Sequence, residues 1–105
     1  MDYRPKTAEQ YVELVDQALF EIDDLRMSAE YDMDSLGMAM EFLDALESGV
    51  RKLRDSMADG SYRFEDEDLP FMKVVEREND RTLPFKHLLR LINATHKMGL
   101  AVDDE

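Results

Sequence analysis

The chain contains no cysteine, and it has only four glycines and three prolines among its 105 residues. The lack of cysteine excludes disulfides, thiolate zinc sites, iron–sulfur clusters and a cysteine nucleophile. The glycines are isolated from one another, so the chain has no glycine-rich phosphate-binding loop. No serine lies in the Gly-x-Ser-x-Gly turn of serine hydrolases. These absences favour a protein that is not an enzyme and that uses no cofactor.

Long apolar runs are also missing. No window of the sequence approaches the roughly 20 apolar residues that a membrane-spanning helix needs. The first residues, which include Asp2 and Arg4, have neither the basic nor the apolar region of a secretory signal. We therefore expect a cytoplasmic protein that does not bind membranes.

Acidic side chains are in large excess. The chain has 25 Asp and Glu residues against 13 Lys and Arg residues, which gives a formal net charge of -12. This charge repels phosphate backbones, so we predict that the protein binds no nucleic acid. The charge is uneven, because residues 1–34 carry ten acidic and three basic side chains. A basic protein partner and a simple solubilising role are both consistent with this excess.

Apolar side chains recur at helical spacing in the first half of the chain. Steps of three and four residues connect Tyr11, Val15, Ala18, Ile22, Leu25 and Ala29. Thr7 and Gln10 have the form of a capping box, so a helix is predicted over residues 8–31. Polar N-cap candidates within residues 32–35 and a stop at Gly60 predict a second helix over residues 35–58. Because their connection is short, the two helices are expected to form an antiparallel hairpin.

Two shorter helices are predicted in the last third of the chain, over residues 69–78 and 83–98. Each begins with the letters Leu-Pro-Phe, in which the proline suits the first turn of a helix. The preceding residues 60–68 combine two aromatic with four acidic side chains. We expect them to form a loop whose Tyr62 and Phe64 pack back onto the helices.

Together these segments predict an all-α fold, a small helical bundle that forms a single domain over residues 1–105. Hydrophobic residues make up 44% of the chain, which is sufficient for a modest core. A short flexible N-terminus is expected at residues 1–6, and an acidic tail at residues 100–105.

The second predicted helix has more apolar surface than a two-helix hairpin buries. A stripe beside its main apolar row is formed by Met38, Phe42, Ala45 and Gly49. With this stripe the apolar arc spans roughly 200°, about twice the width typical of a surface helix. The small Ala45 and Gly49 permit close approach by another helix. Either the C-terminal helices cover the stripe, or a second copy or a partner protein binds to it.

Two pairs of carboxylates lie at helical spacing on the first two helices. Glu21 and Asp24 form one pair, and Glu41 and Asp44 form the other. The pattern is similar to the loose Glu-x-x-Glu/Asp motifs with which helical nucleotide pyrophosphohydrolases hold Mg²⁺. However, such pairs are about as frequent as chance predicts in so acidic a chain. We therefore predict a solvated acidic face and no metal site, with a magnesium-dependent hydrolase as an alternative.

The last predicted helix carries two histidines and a basic stripe. His87 and His96 point in different directions and cannot share a metal ion. His96 falls on the apolar face, where we expect a hydrogen-bonded, partly buried side chain or a pH-responsive contact. Lys86, Arg90 and Lys97 line one side of this helix. We expect them to face the acidic first helix of the same chain or of a second copy.

We predict a small, acidic, non-enzymatic protein–protein interaction or regulatory protein that acts through an apolar helix face. The residues expected to form the interaction surface are Met38, Phe42, Ala45, Gly49, Tyr62 and Phe64. The expected partner is another protein or a second copy in a homodimer. Besides the magnesium-dependent hydrolase, the remaining alternative is an acidic decoy that imitates nucleic acid on a basic binding surface.

Overall fold

The computed structural model describes residues 4–31, 36–78 and 83–101, with the side chains of residues 29–31 and 36–40 excepted. These residues form four helices and no strand, which confirms the predicted all-α bundle. The helices are α1 (Ala8–Tyr31), α2 (Leu36–Asp59), α3 (Met72–Arg77) and α4 (Lys86–Met98). None of them combines the length and the apolar character that crossing a lipid bilayer requires.

The long hairpin begins and ends close to its predicted positions. The backbone nitrogen of Gln10 donates to the hydroxyl of Thr7 at 3.1 Å, as the capping box predicts. The Gln10 side chain accepts from the backbone nitrogen of Lys6 rather than from that of Thr7. At the far end, Gly60 adopts a φ of +82°, which ends α2 in a conformation that side chains disfavour. The N-cap residues predicted at 32–35 lie outside the described residues.

The two Leu-Pro-Phe segments form turns that precede α3 and α4, so both helices begin three residues later than predicted. The backbone nitrogen of Met72 donates to the carbonyl of Leu69, and that of Lys86 donates to the carbonyl of Leu83. Proline suits the second position of this turn for two reasons. The backbone nitrogen at that position donates no hydrogen bond, and the proline ring already fixes φ near the required value. In both segments the leucine and phenylalanine are buried, so each turn fastens its helix to the core.

One continuous core joins the four helices. α1 packs along α2 and against α4, while the short α3 contacts α2 and α4. The largest fully buried side chains come from all four helices and from the turn before α4, among them Tyr11, Ile22, Leu43, Leu46, Val75, Leu83, Leu89 and Ile92. The main apolar row of each long helix is therefore buried in the core of the bundle.

Ion pairs at both ends of the hairpin fit its antiparallel course. Arg54, late in α2, donates to Asp16, early in α1, at 2.7 Å. Arg26, late in α1, donates to Asp44 and Glu47 of α2 at 2.9 and 2.7 Å. Exposed pairs of this kind contribute little to stability one by one, but they favour this register of the two helices.

The basic stripe of α4 does not face α1 of the same chain, so that part of the prediction is wrong. Lys86 and Arg90 lie 3.8 and 2.8 Å from the carboxylate of Glu76 in α3. Lys97 lies 3.3 Å from the carboxylate of Asp68 in the preceding loop. The reason is that α3 and the loop pack on this side of α4 and bring their own acidic side chains to it.

The ends of the chain contact each other where they are described. The carbonyl of Pro5, which is buried, accepts from the backbone nitrogen of Ala101 at 2.8 Å. Arg4 donates to the carbonyl of Gly99 at 3.0 Å. Within the predicted flexible ends, Arg4 and Pro5 are therefore paired with the residues that follow α4, and Lys6 donates to Gln10 of α1. Residues 1–3 and 102–105 lie outside the described residues.

The turn before α3 packs closely against α2 at Gly49. A Cβ atom added to this glycine would lie 2.7 Å from the Cβ of Phe71. The Phe71 Cβ is fixed to its own backbone, so it cannot yield as the end of a flexible side chain can. The absence of a side chain at position 49 therefore permits Phe71 to rest directly on α2.

We expect Gly49→Ala to lower the free energy of unfolding by about 1–2 kcal/mol, because overpacking against an immobile Cβ costs about 2–3 kcal/mol, the upper part of the usual range. The clash outweighs the roughly 1 kcal/mol by which alanine favours a helix over glycine. Urea unfolding measures the change, with Ser48→Ala at the exposed neighbouring position as the control. A Gly49→Ala variant as stable as the parent would contradict the close approach.

Candidate functional site

The second apolar stripe of α2 is only partly covered. Phe71 closes over Gly49, whereas Ala45 is exposed and Phe42 is half-buried. The side chain of Met38, the fourth predicted member of the stripe, lies outside the described residues. The turn before α3 therefore covers one end of the stripe and leaves the other end open. Binding of a second copy or a partner protein to the open end stays a prediction.

A groove runs along the partly covered stripe, between α2 and residues 61–78. Its larger part has a volume of about 650 Å³ and reaches from Ser56 to Ala45. A smaller hollow of about 380 Å³ continues it to Phe42 and Glu41, and the two parts share Ala45 and Val74. We call the two parts together the α2 groove.

The α2 groove has an apolar floor and a polar end. The apolar lining residues are Phe42, Ala45, Gly49, Leu53, Leu69, Pro70, Phe71 and Val74. Tyr62 and His96 lie together among the polar lining residues. Acidic side chains outnumber basic ones in the lining, with Glu41, Glu65, Glu67, Asp68 and Glu78 against Lys52, Arg63 and Arg77. Such an apolar surface with polar edges is typical of sites that bind protein segments.

Three side chains at the polar end form a hydrogen-bonded chain. The hydroxyl of Tyr11 donates to the carbonyl of Ile92 at 3.0 Å and lies 3.2 Å from the hydroxyl of Tyr62. The hydroxyl of Tyr62 lies 2.6 Å from Nδ1 of His96. Each hydroxyl has a single proton, so all three contacts are hydrogen bonds only when Nδ1 donates to Tyr62 and Tyr62 donates to Tyr11.

Burial shifts the pKa values of these three side chains. It raises the pKa of Tyr11 and of Tyr62 above the ordinary tyrosine value. It lowers the pKa of His96, against the opposing influence of Glu65 and Glu67. His96 is therefore neutral at neutral pH, and its Nε2 has no hydrogen-bond partner in the part of the chain that the structure describes. The sequence-based expectation of a hydrogen-bonded histidine is confirmed.

Tyr62 and Phe64 pack back onto the helices, as the sequence predicts. Phe64 stacks on Tyr11 with ring centroids 5.8 Å apart, and Tyr62 meets both rings edge-on. Tyr62 also lines the α2 groove, whereas Phe64 lines a separate hollow between Tyr11 and Met57. Four of the six predicted interaction residues, Phe42, Ala45, Gly49 and Tyr62, line the α2 groove. Phe64 lies beside Tyr62 in the hollow that Tyr62 also lines, and the side chain of Met38 lies outside the described residues.

Asn93 holds the loop that forms one side of the groove, a role that the sequence reasoning missed. Its side-chain oxygen accepts from the backbone nitrogen of Leu69 at 2.8 Å, and its nitrogen donates to Asp68 at 3.0 Å. This second hydrogen bond, together with Lys97, lowers the pKa of Asp68. The available signal was the position of Asn93 beside Ile92 and near His96, on the buried side of a helix where an amide needs partners.

The four carboxylates of the magnesium alternative have separate surroundings. Glu21 accepts from Gln17 at 2.8 Å, and Asp44 pairs with Arg26. Asp24 and Glu41 are exposed. Within residues 4–31, 36–78 and 83–101, no three Asp, Glu or His side chains come close enough together to hold a metal ion.

A comparison of the chain with models of known protein families, with curated proteins and with solved structures finds no match. The function must therefore be inferred from the geometry and the chemistry of the described surface. On that surface the α2 groove combines an open apolar floor with buried polar groups at one end.

We expect the stability of the protein to fall as the pH drops below the unfolded-state pKa of histidine, about 6.5. The pKa of His96 is lowered by burial, so in this range the unfolded chain binds a proton that the folded chain does not. The contribution of His96 to the free energy of unfolding is therefore fully present above this range and is lost as the pH falls toward the lower, folded pKa.

Urea unfolding at a pH above and a pH below this value, each kept above the carboxylate range, measures the effect. His96→Asn places an amide near the position of Nδ1 and removes the titration. It should lose less stability between the two pH values than the parent does. The same loss in both proteins would contradict a buried neutral His96.

Proposed function

We propose that this chain is a non-enzymatic protein–protein interaction protein that binds a segment of a partner protein in the α2 groove. The observation that carries the proposal is the open apolar floor at Ala45 and Phe42, beside a stretch of the same stripe that Phe71 already covers. Apolar surface in a concave position gains free energy when a partner side chain removes it from water.

The dimensions of the groove suit a short extended segment. From Phe42 to Ser56 the axis of α2 extends for about 21 Å, at about 1.5 Å per residue. An extended chain rises about 3.3 Å per residue, so about six residues span the groove. An apolar side chain of the segment would rest on Ala45, and a polar one would reach Tyr62 and Nε2 of His96.

The charges favour a basic segment over a second copy of this chain. Five of the eight charged residues in the groove lining are acidic, and the whole chain has a formal net charge of -12. A second copy has the same charge, and Lys86, Arg90 and Lys97 of its α4 already contact acidic side chains of their own molecule. Electrostatic repulsion therefore opposes a homodimer, and a positively charged partner is attracted.

We expect short peptides selected on this protein from a random display library to bind in the α2 groove. Ala45→Arg places a long, charged side chain on the floor and should weaken their binding at least tenfold in fluorescence anisotropy. Ala58→Arg is the matched control, because Ala58 is exposed on the same helix and does not line the groove.

Equal binding to both variants would contradict the proposal, as would a failure to select any peptide. Light scattering on the free protein tests the second copy as the occupant. A dimer that Ala45→Arg dissociates would show that the groove binds another copy of this chain instead.

A further inference from the structure

We propose that the outer face of α1, defined by Phe20 and Met27, binds a basic amphipathic helix of a partner protein. This surface is distinct from the α2 groove, since neither residue lines it. The inference therefore stands on its own observations and does not depend on the function proposed for the groove.

Phe20 and Met27 are strongly exposed although both are large and apolar. Phe20 is 65% exposed and Met27 is 56% exposed. They lie seven residues apart, so they project from the same face of α1, about 10 Å from each other along the axis. The core-facing residues of the same helix, such as Val15 and Ile22, are fully or almost fully buried on the opposite side. The outer face thus has apolar side chains that the bundle does not use.

Carboxylates surround the two apolar side chains. Asp23 and Asp24 lie one turn from both Phe20 and Met27, and Asp16 lies one turn before Phe20. Asp16 pairs with Arg54 of α2. Among the described residues, neither Asp23 nor Asp24 has an ion-pair or hydrogen-bond partner. Two negative charges between two exposed apolar side chains are complementary to a surface that alternates apolar with basic groups.

An amphipathic basic helix presents that alternation. Apolar residues that repeat every seven positions along such a helix match the spacing of Phe20 and Met27 when the two helices lie side by side. Its lysines or arginines then reach the carboxylates of Asp23 and Asp24. If a second copy of this chain bound through the same face, Asp23 and Asp24 of the two copies would lie close together and repel each other.

The test uses a synthetic amphipathic peptide of about 18 leucine and lysine residues, long enough to form a helix on binding. A scrambled peptide of identical composition serves as the charge-matched probe. Isothermal titration calorimetry measures both against the full chain at low and at high salt. We expect the amphipathic peptide to bind at least tenfold more tightly than the scrambled one, with an affinity that falls as salt rises.

The variant Phe20→Ser/Met27→Ser leaves the charge of the protein unchanged and alters only exposed positions, so it should fold normally. It should weaken binding of the amphipathic peptide at least tenfold. The matched control is Met98→Ser, which removes a side chain that is 67% exposed on α4, and it should leave binding within about twofold. Ala45→Arg, which blocks the α2 groove, should also leave binding within about twofold, so a failure of one proposal is separable from a failure of the other.

Three results would overturn the proposal. Unchanged binding to the Phe20→Ser/Met27→Ser variant would show that the exposed pair takes no part. Equal binding of the scrambled peptide would show that only the net charge of the protein attracts it. A dimer in light scattering that the same double substitution dissociates would show that a second copy covers this face.

Discussion

The contact between Phe71 and Gly49 determines the geometry on which the groove depends. α3 is only six residues long, and a helix of that length is not stable by itself in water. Its position is therefore set by packing, and the close contact of Phe71 with Gly49 fixes the turn before it on the surface of α2. The contact occurs at the position of a missing side chain, and one turn earlier in α2 a hollow remains between Ala45 and Val74 of α3, where Ala45 is exposed.

Polar contacts hold the opposite side of the groove, where the chain has no regular secondary structure. Tyr62 is held by Tyr11 and by His96, and the backbone of Leu69 is held by the amide of Asn93. Each of these contacts joins the loop to α1 or α4, so the loop is fixed by helices other than α2, which forms the floor of the groove. A surface that is fixed in advance loses little conformational entropy when a partner binds, which favours affinity.

The helical hairpin could be predicted from the sequence because its signals are local. The apolar period, the capping box at Thr7 and the stop at Gly60 each lie within a few residues of what they determine. The over-wide apolar arc of α2 corresponds in the structure to the stripe that Phe71 covers at Gly49 and that is open at Ala45. How that arc divides between Phe71 and solvent could not be predicted, because it depends on a contact between residues 49 and 71 that no local period encodes.

Other features were missed for the same reason. The basic stripe of α4 was assigned on charge alone to acidic α1 of the same chain or of a second copy, whereas Glu76 and Asp68 of the same chain pair with it. Phe20 and Met27 were overlooked because they fall outside the apolar stripe of α1. Their position could have indicated a binding surface, since a large apolar residue on the solvated side of an amphipathic helix does not contribute to the core of the protein.

The most direct test of the central claim is the accessibility of position 45 to a thiol reagent. The chain has no cysteine, so a single introduced thiol gives an unambiguous signal. An open groove predicts that Ala45→Cys is modified about as fast as Ala58→Cys on the exposed side of α2, whereas Leu46→Cys in the core reacts at least about a hundredfold more slowly. Protection of Ala45→Cys to the level of Leu46→Cys would show that the apolar face is covered in the free protein, which would contradict a groove that is open to a partner.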